Sequence, residues 1–365
     1  MAWLRAAIGV VVALAVGAVL VSGGSGTEPP EAQILEIPGI GAGGTAVVVD
    51  SFGKVIGGVE ARSAAMAARR WLRRARPLNG APRWARLMYS RSLLVLRALT
   101  DRRGAAVAGA REGWAYVWPR DAGAVALAYA AAGYRIEARR VARFLFGLDL
   151  DAAARFYPDG TPVEGREAQG DTQGWVGVAA RAAGLRRPAR SDLDWRDHAD
   201  YQEKDGGDYL GNAIASDAAR IDGGFATRDG VLVRRAEDPE SGVDSAAAWV
   251  VRPFPRPALF PAARRSLRQL VDERGGQFGV VPSEDWPEDD PWTAPTAWTA
   301  WAFVALGDRP TALELMGDLR RAATPLGLLP ERVDAETGEP RSTTPLAWSH
   351  AFAILALREL WPEAD

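Results

Sequence analysis

From Ala61 to Leu360 the chain is dominated by one period, with apolar residues returning every three or four positions, as at Leu93, Leu94, Leu96 and Leu99. That spacing gathers apolar side chains on one face of an α-helix; a strand would alternate every two residues. It predicts helices over Ala61–Ala75, Arg83–Thr100, Asp121–Ala132, Ile136–Phe146, Thr172–Ala183, Ala258–Glu273, Pro295–Leu306, Pro310–Ala322 and Pro345–Leu360. Loops rich in Gly and Pro, carrying charges and Trp, separate them. Residues 185–256 have no clear period and leave room for two or three short helices. Almost no strand signal follows residue 60, so the domain is expected to be all-α. At about 25 residues per helix and loop, roughly 300 residues hold about twelve helices. An inner and an outer ring of six is one arrangement of that number, but helix count alone does not select it. No fixed-period repeat points to a regular solenoid.

The N-terminus reads differently. Ala6 to Ser22 is an apolar or small-residue run of roughly seventeen positions, at the short end of a bilayer span. Arg5 precedes it and Glu28, Glu31 and Glu36 follow, a bias that places the bulk of the chain outside the membrane. A signal peptide cleaved near Ser22–Gly24 is the alternative. The expected organisation is therefore a membrane anchor or signal segment plus flexible spacer over 1–30, and an extended, β-like segment over 31–60 packing on the barrel. The helical domain is expected over 61–365. The helical domain is expected to be extracytoplasmic, either anchored or secreted.

Composition narrows the chemistry. There is no Cys and there are two His, His198 and His350, which excludes Cys-based zinc sites, thiol nucleophiles and disulfides. A Ser-His-Asp triad would need one of those two His, and neither lies near a Gly-x-Ser-x-Gly elbow. A formal net charge of −2 without a basic patch argues against nucleic acid. What remains is carboxylate chemistry, which requires no metal or cofactor. The 14 Trp suggest sugars, whose C–H faces stack on indoles, although Trp can equally fill a core.

Two stretches concentrate the informative residues. In WAYVWPRDA, Trp114–Ala122, aromatic residues lead into Arg120 and Asp121 directly before an apolar helix. Asp121 is either that helix's N-cap or part of a pocket gripping sugar hydroxyls. In GLLPERVDAETGEP, Gly327–Pro340, Glu331 follows Pro330, with Leu328 and Leu329 leading inward and Trp348, Ser349 and His350 nearby. Glu331 is either a solvated loop charge or a buried, poised carboxylate.

Together these stretches resemble glycoside hydrolase family 15, the family of glucoamylases, glucodextranases and some trehalases. YVWPRDA at Tyr116–Ala122 resembles its substrate-gripping loop, and GREAQGDTQGW at Gly165–Trp175 its Gln-x-Asp helix start. DPWTAPTAW at Asp290–Trp298 resembles its Asn-Pro-Trp segment. The Glu331 loop with PLAWSHA resembles the loop of its catalytic base. The matches run in the family's order over about Tyr89 to Leu360. The resemblance implies an (α/α)6 barrel, a six-hairpin toroid, and hydrolysis of α-glucosidic bonds in oligo- or disaccharides by inversion. It implies Glu331 as general base and Glu203 as general acid, with Glu167 and then Glu284 as fallback acids. It implies substrate binding by Trp118, Arg120, Asp121, Gln169, Asp171, Trp286 and Trp348. Two carboxyls of an inverting enzyme stand roughly 6.5–9.5 Å apart, leaving room for a water.

The sequence departs from the pattern in three places. Gln202 stands where the family often has Trp, and Lys204 where many glucoamylases carry a second acid. Val280 and Val281 stand in place of an Arg-Tyr pair, and these and Lys204 are expected to alter the site beyond the scissile bond. The alternative is a catalytically inactive carbohydrate-binding or cell-envelope protein on the same barrel. A third reading takes acid-rich Glu284–Asp290 as a magnesium-diphosphate site, although Pro287 breaks any helix that would present it. His350 is expected to be a structural residue beside the base loop, and His198 a surface one.

Overall fold

A computed structural model describes residues 46–49, 55–59 and 62–363, except 111–112, 187–193, 205, 218–220, 222 and 227–228. The apolar run Ala6–Ser22 and its spacer lie outside the described residues. Among those described, no helix is long and apolar enough to cross a membrane.

Among the described residues ten α-helices follow in chain order: α1 Arg62–Leu72, α2 Arg83–Ala98, α3 Pro119–Ala131, α4 Arg135–Phe146, α5 Thr172–Ala183, α6 Leu210–Asp217, α7 Phe260–Arg274, α8 Thr293–Ala305, α9 Arg309–Ala322 and α10 Ala347–Leu360. All nine predicted helices are present. The aperiodic stretch holds α6 and a 3-10 helix, Ser245–Val250. Both are buried along nearly their whole length, so neither needs a polar face, and their sequences show no period.

Six elements contact one another in a closed circuit: α3, α5, α6, the 3-10 helix 245–250, α8 and α10, with α10 returning to α3. Their neighbours lie outside, α4 against α3 and α5, α7 against the 3-10 helix, α9 against α8 and α2 against α10. Burial separates the two layers. Every residue from Thr293 to Phe303 of α8 is buried, whereas α4 buries only Ala138, Val141, Ala142 and Leu145. A helix apolar all round belongs inside, and one with a single apolar stripe belongs outside. The arrangement is consistent with an (α/α)6 barrel.

The centre of the ring is aromatic. Trp298 meets Trp249 at 5.4 Å, Trp348 at 5.2 Å and Phe352 at 5.3 Å, all edge to face. Trp175 meets Trp249 the same way at 5.2 Å. Such edge contacts add to what burial of the rings already contributes. Much of the Trp content therefore builds the core.

Strands are few but more than the sequence suggested. An antiparallel pair, β1 Ala46–Val49 and β2 Val55–Val59, falls within the extended segment expected before residue 60. Two further pairs were not anticipated: β3 Val233–Arg235 with β4 Asp238–Val243, and β5 Gly275–Gly276 with β6 Gly279–Val280. Their Gly, Pro and charged residues, in runs this short, carry no alternating pattern to detect.

Candidate active site

The segments entering the inner helices supply the walls of one pocket. Trp118, Arg120 and Asp121 come from the start of α3, Arg166 from the loop before α5, and Tyr201, Gln202 and Glu203 from the loop before α6. Trp292 comes from the residue before α8, Glu331 and Leu346 from the loop before α10, and Trp348 from its first turn. Trp114 completes the aromatic lining, and the cavity measures about 90 Å³. Three of these inner helices, α3, α8 and α10, thus begin at the pocket. Their positive ends favour negative charge there.

Asp121 is not an N-cap. Pro119, with its preset φ and missing N–H, opens α3 two residues earlier than predicted, and Trp118 takes the cap position. Asp121 is left in the first turn, 4% exposed beside Arg120. Arg120 donates to Gln169 Oε1 at 2.7 Å and to Asp171 Oδ2 at 3.2 Å, and pairs with Asp121 at 3.5 Å. Its guanidinium lies 4.7 Å from the centre of the Trp348 ring. Burial, opposed by Arg120 and reinforced by Asp171 and Glu331, pushes the Asp121 carboxyl up to about 7. Burial likewise raises the Asp171 carboxyl, again opposed by Arg120. Within this floor Arg120 Nε, Asp121 Oδ2, Trp292 Nε1 and Trp348 Nε1 are buried without a hydrogen-bond partner among the described residues.

Glu331 is held through its backbone. Its N–H donates to Thr343 O at 2.9 Å, its carbonyl accepts from Thr293 N at 3.0 Å, and the Ser342 hydroxyl donates to its carboxylate. Behind it, His350 Nε2 accepts from Leu329 N at 3.0 Å, leaving Nδ1 to donate to Ser92 Oγ at 2.9 Å. Burial, helped by Arg91, lowers the His350 pKa from 6.5 to about 3. The native state therefore refuses a proton that the unfolded chain accepts. Stability from this group is complete above about pH 6.5 and is lost as pH falls toward 3, at about 1.4 kcal/mol per unit. Urea midpoints of His350→Asn at pH 7, 6 and 5 should fall less steeply than those of the wild type. Equal slopes would remove His350 from this role.

Glu203 stands on a turn with φ of 59°, a left-handed conformation costly to a residue with a Cβ. The surrounding structure enforces it. Asp200 Oδ1 accepts from Gln202 N at 3.0 Å and Lys204 N at 3.3 Å. Asp200 Oδ2 is gripped by Arg234 at 2.8 Å, and Arg234 also reaches Asp244 at 3.4 Å and Asp285 at 2.6 Å. The Tyr201 hydroxyl donates to Asp244 at 2.8 Å, and Gln202 Nε2 donates to Tyr201 and Ser283 at 3.1 and 3.0 Å. Gln202 thus extends a polar network where an indole would have offered a stacking face. The Glu203 carboxylate accepts from Trp118 Nε1 at 3.1 Å and forms an ion pair with Arg166.

Six of the nine residues expected at the site line this one pocket: Trp118, Arg120, Asp121, Glu203, Glu331 and Trp348. Gln169 and Asp171 do not line the pocket and accept from Arg120 behind its wall. Trp286 does not line the pocket and is corrected to a supporting position. It packs edge-on against Trp292 at 5.0 Å, its carbonyl held by Arg274 at 3.0 Å, and Trp292 takes the pocket place. Glu167 is exposed and Glu284 is turned to Val243 N, both away from the pocket lining. Val280 and Val281 are core residues. The sequence reading missed Arg166, Tyr201 and Trp292, although each lies inside or beside a quoted motif.

The acidic run Glu284–Asp290 is dispersed rather than convergent. Asp285 pairs with Arg234, Glu288 with Arg332, Asp289 with Arg274, and Asp290 with Arg332 and Arg341. Among the described residues no group of three or more His, Asp or Glu is placed to hold a metal ion.

No protein-family model matches the chain, and a search of curated protein sequences finds no match. Solved structures do match in fold. A glycosidase variant superposes with a TM-score of 0.65 at 20% identity, over 77% of this chain and 99% of its own. A bacterial glucoamylase complexed with acarbose gives 0.62 at 17% identity, over 81% of this chain and 58% of its own. The glucoamylase from Saccharomycopsis fibuligera gives 0.61 at 13%, over 77% and 96%. The chain has the fold of glycosidases and glucoamylases.

Proposed function

We propose that this protein is a glycoside hydrolase that cleaves α-glucosidic bonds of small oligo- or disaccharides with inversion. One observation carries the reading. Two carboxylates, Glu203 and Glu331, line a single pocket together with Trp118, Trp292, Trp348, Arg120 and Asp121. Neighbouring folds solved with glucose and with acarbose support the same ligand class.

In this mechanism the sugar ring sits among Trp118, Trp292 and Trp348, with hydroxyls on Arg120 and Asp121. Glu331 takes a proton from a water as the water oxygen bonds to C1. The bond from C1 to the leaving oxygen breaks, and Glu203 supplies that oxygen's proton. The base needs a fixed position, and the backbone bonds on both sides of Glu331 support that role. An extracytoplasmic, membrane-anchored or secreted location remains part of the proposal, resting on the apolar run before residue 23.

One observation favours a silent sugar-binding protein instead. The Glu203 carboxylate is occupied by its ion pair with Arg166 rather than free to face a leaving oxygen. Incubation of the full chain with maltose, isomaltose, trehalose and maltotriose separates the two readings. Hydrolysis of at least one is expected; binding without turnover across this and a wider panel of glycosides would establish the silent reading.

A further inference from the structure

Arg120 and Arg166 both line the pocket but at different depths. Arg120 is 5% exposed and engaged by Gln169, Asp171 and Asp121. The Arg166–Glu203 pair is 38% and 32% exposed, at the solvent side where a leaving group would lie. Two further cations lie in neighbouring segments. The Arg155 guanidinium lies 4.8 Å from the Tyr116 ring centre and 5.6 Å from that of Trp118, and its Nε is buried without a hydrogen-bond partner. Lys204 follows Glu203 in the chain, its ammonium 5.3 Å from the centre of the Trp286 ring. Burial and then Arg155 lower the Arg166 pKa while Glu331 raises it, so these groups lie within electrostatic reach of one another.

We propose that the leaving-group side of the pocket recognises an anion, a carboxylate or phosphate on the departing sugar or alcohol, and that Arg166 binds it. The proposal rests on the hydrolase reading above and names its substrate class. Arg166 is the half-exposed cation of the pocket, with Arg155 within electrostatic reach, and a guanidinium grips carboxylate or phosphate through two parallel hydrogen bonds. Such an anion competes with Glu203 for Arg166. Once released, Glu203 takes a proton from solvent and can donate it to the leaving oxygen, while the anion itself passes through unchanged. A neutral sugar offers no such competitor, so Glu203 is released from Arg166 less readily and the sugar is cleaved more slowly.

The test uses the purified full chain with matched substrates. These are maltose, maltobionate and maltose phosphorylated at its reducing-end 6-hydroxyl, with the corresponding isomaltose set. kcat/KM is measured for the wild type, Arg166→Ala and Arg166→Lys. A charged member should exceed its neutral counterpart by about tenfold or more, as expected for charge-assisted hydrogen bonds. In Arg166→Ala the charged-to-neutral ratio should fall to about one, and Arg166→Lys should keep part of it. The two charged arms identify carboxylate or phosphate as the preferred anion. Equal kcat/KM for neutral and charged members overturns the proposal and leaves the hydrolase reading standing. If none is cleaved, titration calorimetry with the same sugars decides. Tighter binding of the charged members, lost in Arg166→Ala, keeps the anion site while the hydrolase reading fails; equal or absent binding overturns the anion site too.

Discussion

Replacing Glu331 by Gln is expected to lower kcat by about 10²–10⁴-fold, the range for losing a general base, while the protein still folds and binds sugar. Gln keeps the shape and can still accept from Ser342, so the change removes a charge and a proton acceptor but little packing. The backbone bonds that hold the loop, to Thr343 and Thr293, do not depend on the side chain. A fall in kcat with a nearly unchanged thermal midpoint and KM is the expected pattern. A variant retaining most of its kcat would remove Glu331 from the chemistry.

The largest stability effect is expected at Arg234. Its side chain is 5% exposed and compensates Asp200 and Asp244, themselves 1% and 2% exposed, along with the more open Asp285. Arg234→Met leaves two buried carboxylates without their cation, and breaking buried pairs in this way costs about 3–5 kcal/mol. Burial already pushes Asp244 up to about 7, with Arg234 the main opposing influence, so the variant should raise it further. An acid whose folded pKa lies above its unfolded value holds its proton more tightly when folded. Its contribution is best at low pH and is lost as pH rises from about 4 through about 7. The stability deficit of Arg234→Met should therefore shrink as pH is lowered from 8 to 5, measured by urea denaturation. A deficit independent of pH would mean that packing, rather than charge, is what Arg234 provides. Because the same network holds Glu203 in its left-handed turn, activity should fall more than the folded fraction does.

Much of the fold was legible because its helices alternate between two environments with different sequence signatures. The outer helices carry a single apolar stripe, as α4 does, and the inner ones are apolar throughout, as α8 is. Element α6 and the 3-10 helix 245–250 were not legible, since short, fully buried elements need no polar face and so show no period. The pocket was legible where its residues share a motif, as Trp118, Arg120 and Asp121 do, and at Glu331 and Trp348 in the final stretch. Trp286 and Trp292 could not be told apart from sequence, because both flank Pro and acidic residues. Their difference is set by Arg274, which ties down the carbonyls of Glu284, Trp286 and Glu288 from another helix. Arg166 was missed for a similar reason: its significance lies in meeting Glu203 across the pocket, from a residue 37 positions away in the chain. Gln169 and Asp171 were expected to bind substrate; their place behind Arg120 emerges only from the hydrogen bonds.

The measurement that bears most directly on the proposed activity is proton NMR of the first sugar released from an α-linked substrate, with Glu331→Gln run in parallel. Initial release of the β-anomer by the wild type, abolished in the variant, is the predicted result. Initial release of the α-anomer, or release that survives in the variant, would contradict an inverting hydrolase with Glu331 as its base.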